Sequence, residues 1–84
     1  MTFSVVVEVS LRPGISDPEG ATIERALPAL GFQGITGLQT GKVFRFDVDA
    51  ANEADAIAAA TSIADRLLSN PVIEQSTVRI EVTA

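Results

Sequence analysis

The chain has 84 residues, of which 46% are hydrophobic and 20% charged, with a net charge of −5 and neither Cys nor His. A length of this order closes one hydrophobic core and no more, so residues 1–84 read as a single domain with no cleft between domains for catalysis. The six Lys and Arg are scattered, which excludes a phosphate-binding surface for nucleic acid, and the missing thiols and imidazoles exclude a disulfide framework and the usual transition-metal sites.

Phe3 to Leu11 alternates, with Phe3, Val5, Val7, Val9 and Leu11 on one face, and this period of two predicts a half-buried strand. Arg12-Pro13-Gly14 breaks it. Asp17 before Pro18 reads as an N-cap with proline at the first helical position, and Glu19 adds a carboxylate at the positive end of the helix dipole. Ile23, Ala26, Leu27 and Leu30 then form an apolar stripe, with Gly31 as a left-handed terminator and Phe32 packing back on Leu27. Pro28 lies inside this helix, removes a hydrogen bond to the Glu24 carbonyl, and predicts a kink or a loosened last turn.

Ile35 to Thr40 reads as a short strand interrupted by Gly37, and Gly41-Lys42 as a tight turn into a strand over Val43 to Asp49, together a hairpin. Asn52 is the N-cap of a second helix whose apolar face is Ile57, Ala60, Ile63, Ala64, Leu67 and Leu68, and Asn70-Pro71 stops it. Thr77 to Thr83 alternates again, with Val78, Ile80 and Val82 inward and Arg79 and Glu81 outward. The order is strand, helix, strand, strand, helix, strand. This is an α+β, ferredoxin-like βαββαβ arrangement with two helices on one face of an antiparallel sheet. Val6 and Val43 make the back of that sheet partly apolar, and an unstapled domain of this size is expected to self-associate as a dimer or higher oligomer.

The chain offers little chemistry. Without His, acid–base catalysis would need a strongly shifted carboxylate or lysine, and no sheltered pair stands out. Asp47, Asp49, Asn52 and Asp55 resemble a calcium loop in outline, but Asn52 stands where glycine is required and Ala58 where the bidentate glutamate belongs. Thr40-Gly41-Lys42 lacks the remainder of a phosphate-binding loop, since Thr36 occupies the first glycine position and Val43 follows the lysine. Val72 and Ile73 are apolar in a connection where polar residues would suffice, so they either fold under the sheet or face a partner chain. The longest apolar run, Ala56 to Ala60, falls far short of the ~20 residues of a membrane helix, and the N-terminus lacks signal-peptide character. A cytoplasmic protein without membrane contact is expected.

Two phrases carry a more specific message: Leu11-Arg12-Pro13-Gly14 running into Asp17-Pro18-Glu19-Gly20, and Asn70-Pro71-Val72-Ile73-Glu74. With Glu24, Arg25, Leu27, Gly31, Phe32, Gly41 and Lys42 between them, the chain resembles the PurS family along its whole length. That family is the small subunit of multi-subunit phosphoribosylformylglycinamidine synthase. The resemblance implies a non-catalytic subunit that self-associates and joins the ATP-dependent synthetase PurL and the glutaminase PurQ. The complex converts formylglycinamide ribonucleotide, ATP and glutamine to formylglycinamidine ribonucleotide, ADP, phosphate and glutamate, and the small subunit bridges the two enzymes and assists ammonia transfer. No cofactor is then expected on this chain, with ATP and Mg on the large partner. Arg12, Asp17, Glu19, Arg25, Lys42, Asn70, Pro71, Val72, Ile73 and Glu74 are the candidate partner-interface residues. The alternative is a ferredoxin-like regulatory module holding an amino-acid effector at a dimer interface, for which Gly14 is the one candidate glycine turn near a helix start.

Overall fold

The computed structural model describes residues 1–81. Ten residues of alternating pattern form β1 (Thr2–Leu11), which is the centre of a three-stranded antiparallel sheet ordered β2-β1-β3. β2 (Gly41–Asp49) pairs along one side of it, in the register Val5 opposite Phe46 and Val7 opposite Phe44. β3 (Glu74–Ile80) pairs along the other, with Val5 opposite Ile80 and Val7 opposite Val78. The register puts Val5, Val7, Val9, Phe44, Phe46, Val48, Val78 and Ile80 on one face, where they pack on α2 (Glu53–Ile63).

α2 is capped as the sequence predicts, Asn52 Oδ1 accepting the Asp55 N–H at 2.8 Å. Its buried face is the predicted one in part: Ala60 and Ala64 lie in the core and Leu68 packs against it, and Ala56 joins them. Ala56, Ala60 and Ala64 are fully buried, while Ile63 is partly and Leu67 80% exposed. Small side chains at i, i+4 and i+8 let the helix axis approach a sheet already filled by valines and phenylalanines, which a row of Ile and Leu would hold off. A π-helical turn over Ala64–Leu68 widens the last turn and ends at Ser69, whose hydroxyl donates to the Ala64 carbonyl at 2.9 Å.

α1 (Pro18–Ala26) stops two residues short of Pro28, and a 3-10 turn over Pro28–Leu30 follows. Proline without an N–H loosens the last turn as predicted. The terminator also forms: Gly31 is left-handed at φ 93°, its N–H donates to the Pro28 carbonyl, and Phe32 N–H donates to the Leu27 carbonyl, the paired bonds of a Schellman ending.

The ferredoxin-like α+β class holds, with four corrections to its parts. Residues 35–40 pair with no strand: Gly37 has φ 71°, outside the extended range, and the Leu38 and Thr40 N–H groups donate to carboxylates on the α1 side. Gly41 and Lys42 are ladder residues opposite Ser10 and Val9, so no tight hairpin precedes β2. α1 buries only Gly20 and stands off the sheet, giving a radius of gyration of 16.2 Å where a compact chain of this length has about 12 Å. The last strand begins at Glu74, three residues earlier than predicted, and the expected positions Val82 and Thr83 lie outside the described residues.

The back of the sheet is partly apolar, as expected, at Val6 and the exposed Val43, and otherwise largely charged. Val6 is fully buried there, between Arg45 and Arg79 in register, and the arginines pair with Glu81 and Glu8. Their aliphatic stems shield the valine while their heads stay in water. No helix among the described residues is long and apolar enough to cross a membrane.

Candidate functional site

β1, β2 and β3 all reach one end of the sheet, and most of the sequence-predicted candidates gather there. Val9 and Leu11 form a floor; Lys42, opposite Val9, flanks it on one side and Glu74, opposite Leu11, on the other. Glu19, from the first turn of α1, completes an open recess of about 430 Å³. Lys42 forms no ion pair among the described residues, so its ammonium is available to an acidic group of a partner.

The Asn70–Glu74 connection is a rigid turn at the same end. The Asn70 side chain accepts the Val72 N–H at 3.1 Å, the Asn70 carbonyl accepts the Glu74 N–H at 2.7 Å, and the Glu74 carboxylate accepts the Asn70 N–H at 2.7 Å. Arg12 fixes it to β1: its guanidinium Nε donates to the Pro71 carbonyl at 2.8 Å and its backbone N–H to the Ile73 carbonyl at 2.8 Å. Pro71 and Val72 are held out in water, Val72 being 80% exposed. An apolar side chain on a turn with this many internal bonds loses little conformational freedom on binding. Arg12 thus holds the turn through its Nε while the residue stays exposed.

Asp17 ties α1 to the start of β2. Its carboxylate accepts the Gly20 N–H at 2.9 Å, the Thr40 N–H at 2.8 Å and the Thr40 hydroxyl at 2.9 Å. These bonds, that from the Thr40 backbone first, hold its pKa below the usual carboxylate value. About two turns on, Glu24 accepts the Leu38 N–H at 2.8 Å. Arg25 stands apart, its guanidinium donating to Thr22 at 3.3 Å. Thr40 and Leu38 escaped the sequence reading, because what selects them is a long-range contact and no local pattern marks it. Around Gly14 the recess is about 60 Å³, the size of a few waters, and Asp17 already occupies the adjacent helix start.

The chain matches the family model described as PurS, phosphoribosylformylglycinamidine (FGAM) synthase, over residues 4–82. It is 41% identical over 76 residues to the PurS subunit of that synthase from Mycobacterium leprae, covering 90% of this chain and 92% of the relative. The crystal structure of the purS subunit from Thermotoga maritima superposes with a TM-score of 0.89 at 33% identity, covering 96% of this chain and 93% of that one. A chain of the PurLQS structure from the same organism superposes at 0.88 and 32% identity, covering 96% and 99%. With the family model matching residues 4–82 and relatives matching in sequence and in structure along nearly the full length, the chain belongs to the PurS family of phosphoribosylformylglycinamidine synthase subunits.

Proposed function

We propose that this chain joins a PurL-type synthetase to a PurQ-type glutaminase, and that it assists ammonia transfer between them while doing no chemistry itself. The observation that carries this reading is the match to a subunit solved as part of PurLQS, at a TM-score of 0.88 over 99% of that subunit. The local chemistry agrees. The carboxylate shift at Asp17 is downward, and a neutral-pH general acid or base needs a carboxylate shifted upward. ATP and Mg then belong to the large subunit, and the complex works in the cytoplasm.

In this role the surface matters more than any pocket. The rigid Pro71–Val72 knob and the free Lys42 suit two different protein surfaces, one apolar and one acidic. Size-exclusion chromatography of the chain with its own PurL and PurQ, substrates present, tests assembly: one peak containing all three is expected, and three separate peaks would refute the reading.

A further inference from the structure

The Asn70–Glu74 turn uses all of its backbone donors on itself. Pro71 has no N–H. The Val72 N–H goes to the Asn70 side chain, the Ile73 and Glu74 N–H groups to the Asn70 carbonyl, and the Asn70 N–H to the Glu74 carboxylate. Arg12 takes the Pro71 and Ile73 carbonyls from the end of β1. A turn bonded in this way offers a partner no free N–H to pair with, so recognition here falls to side chains. Those at its tip are Pro71 and Val72, both exposed. Val72 takes no part in the core.

Arg12 adds a charge beside this tip. Its Nε is bonded to the Pro71 carbonyl, while Nη1 and Nη2 have no partner among the described residues. Glu74, the acidic side chain of the turn, is bonded to the Asn70 N–H instead of to Arg12. A chain of net charge −5 therefore presents an unneutralised guanidinium next to an apolar tip. With Nε fixed, the plane of the guanidinium is set, and its terminal nitrogens are placed to bond a carboxylate.

We propose that Pro71 and Val72 enter an apolar socket on an enzyme subunit of the complex, and that a carboxylate on the rim of this socket takes the free end of Arg12. Docking of this kind rests on the proposed joining of PurL and PurQ and supplies the contact by which one of them is held. The tip needs no ordering on binding, so a few side chains act as an anchor in the way that buried apolar and arginine residues dominate other interfaces. Charge disfavours the other classes of occupant. Nucleic acid and anionic lipid are repelled by a chain of −5, and one valine inserts too little apolar area to offset that.

The chain has no Cys, so Val72→Cys carries a benzophenone at one defined place. The labelled chain is irradiated in its complex with PurL and PurQ, isolated as one peak by size exclusion, and the adduct is mapped by mass spectrometry. A covalent link to one enzyme subunit is expected, at apolar residues with an Asp or Glu beside them. Val72→Asp should weaken association with that subunit by about tenfold or more, with the melting temperature of the isolated chain unchanged. Asn70→Ala keeps the Val72 side chain but frees its N–H. It should weaken association as well, which separates a pre-organised tip from one that is merely apolar. A link to neither enzyme, a link only to another copy of this chain, or wild-type affinity in Val72→Asp would overturn the proposal while the three-protein peak persists. Absence of that peak would instead refute the joining of PurL and PurQ, and this docking with it.

Discussion

Asp17 and Thr40 are 23 residues apart in sequence and share two hydrogen bonds, the Thr40 N–H donating at 2.8 Å and its hydroxyl at 2.9 Å to the Asp17 carboxylate. One side chain therefore caps α1 and anchors the start of β2. Because these bonds favour the charged form, the folded-state pKa lies below the unfolded one. A depressed carboxylate contributes stability that is fully present above the unfolded pKa and lost as pH falls through the folded one. Acid titration of unfolding should show this loss beginning below the ordinary Asp value of 3.8. Asp17→Asn should flatten that part of the titration and lower stability at pH 7, and Asp17→Ala should lower it further.

The glycines at either end of α1 test different constraints. A Cβ on Gly20 would stand 2.6 Å from Asp17 Oδ2 and 2.9 Å from the Leu38 carbonyl oxygen, so Gly20→Ala should loosen the Asp17–Thr40 contact. At Gly31 a Cβ would meet nothing within 4 Å, and only the left-handed φ of 93° opposes a side chain. Gly31→Val should therefore cost about 1–2 kcal/mol in chemical denaturation through backbone strain. Amide exchange at Leu38 and Thr40 should accelerate in Gly20→Ala and stay near wild type in Gly31→Val.

The alanine row of α2 sets the distance between helix and sheet. Ala60→Leu places three more carbons against Val5, Val7 and Val9, all nearly inaccessible, and should cost about 1–3 kcal/mol. Leu67→Ala, at an 80% exposed position, should change the free energy of unfolding by less than about 0.5 kcal/mol. A larger effect of Leu67→Ala than of Ala60→Leu would mean that the helix face is misassigned.

Much of this fold was legible because local chemistry and tertiary structure agree in β1, the two N-caps and the Gly31 ending. The α2 face was legible at Ala60, Ala64 and Leu68 but not in full. Ile57, Ile63 and Leu67 dominate a hydrophobicity pattern, whereas close packing on a crowded sheet selects Ala56, Ala60 and Ala64 by size. The strand expected at 35–40 failed for a different reason: the Asp17 and Glu24 carboxylates take backbone N–H groups that a ladder would need, and no local pattern announces a contact across fourteen or more residues. At the candidate site, the sequence marked Arg12 and Lys42 alike as partner-facing charges, but only geometry separates them.

That separation is itself testable. Arg12→Glu removes the bond to the Pro71 carbonyl and should release the Asn70–Glu74 turn, lowering stability by about 1–3 kcal/mol. Lys42→Glu touches no internal ion pair among the described residues and should leave melting within about 0.5 kcal/mol of wild type while weakening association with an acidic partner surface. Thermal melts of the isolated chains and pull-down by PurL and PurQ measure the two effects separately.

The proposed role of this subunit is to couple two active sites while performing chemistry at neither. It is tested most directly by assaying formylglycinamidine ribonucleotide formation by PurL and PurQ with and without this chain, using glutamine and then ammonia as nitrogen source. Omitting the chain should abolish most of the glutamine-dependent rate and leave much of the ammonia-dependent rate, and adding it back should restore the former. Equal glutamine-dependent rates with and without the chain would contradict it.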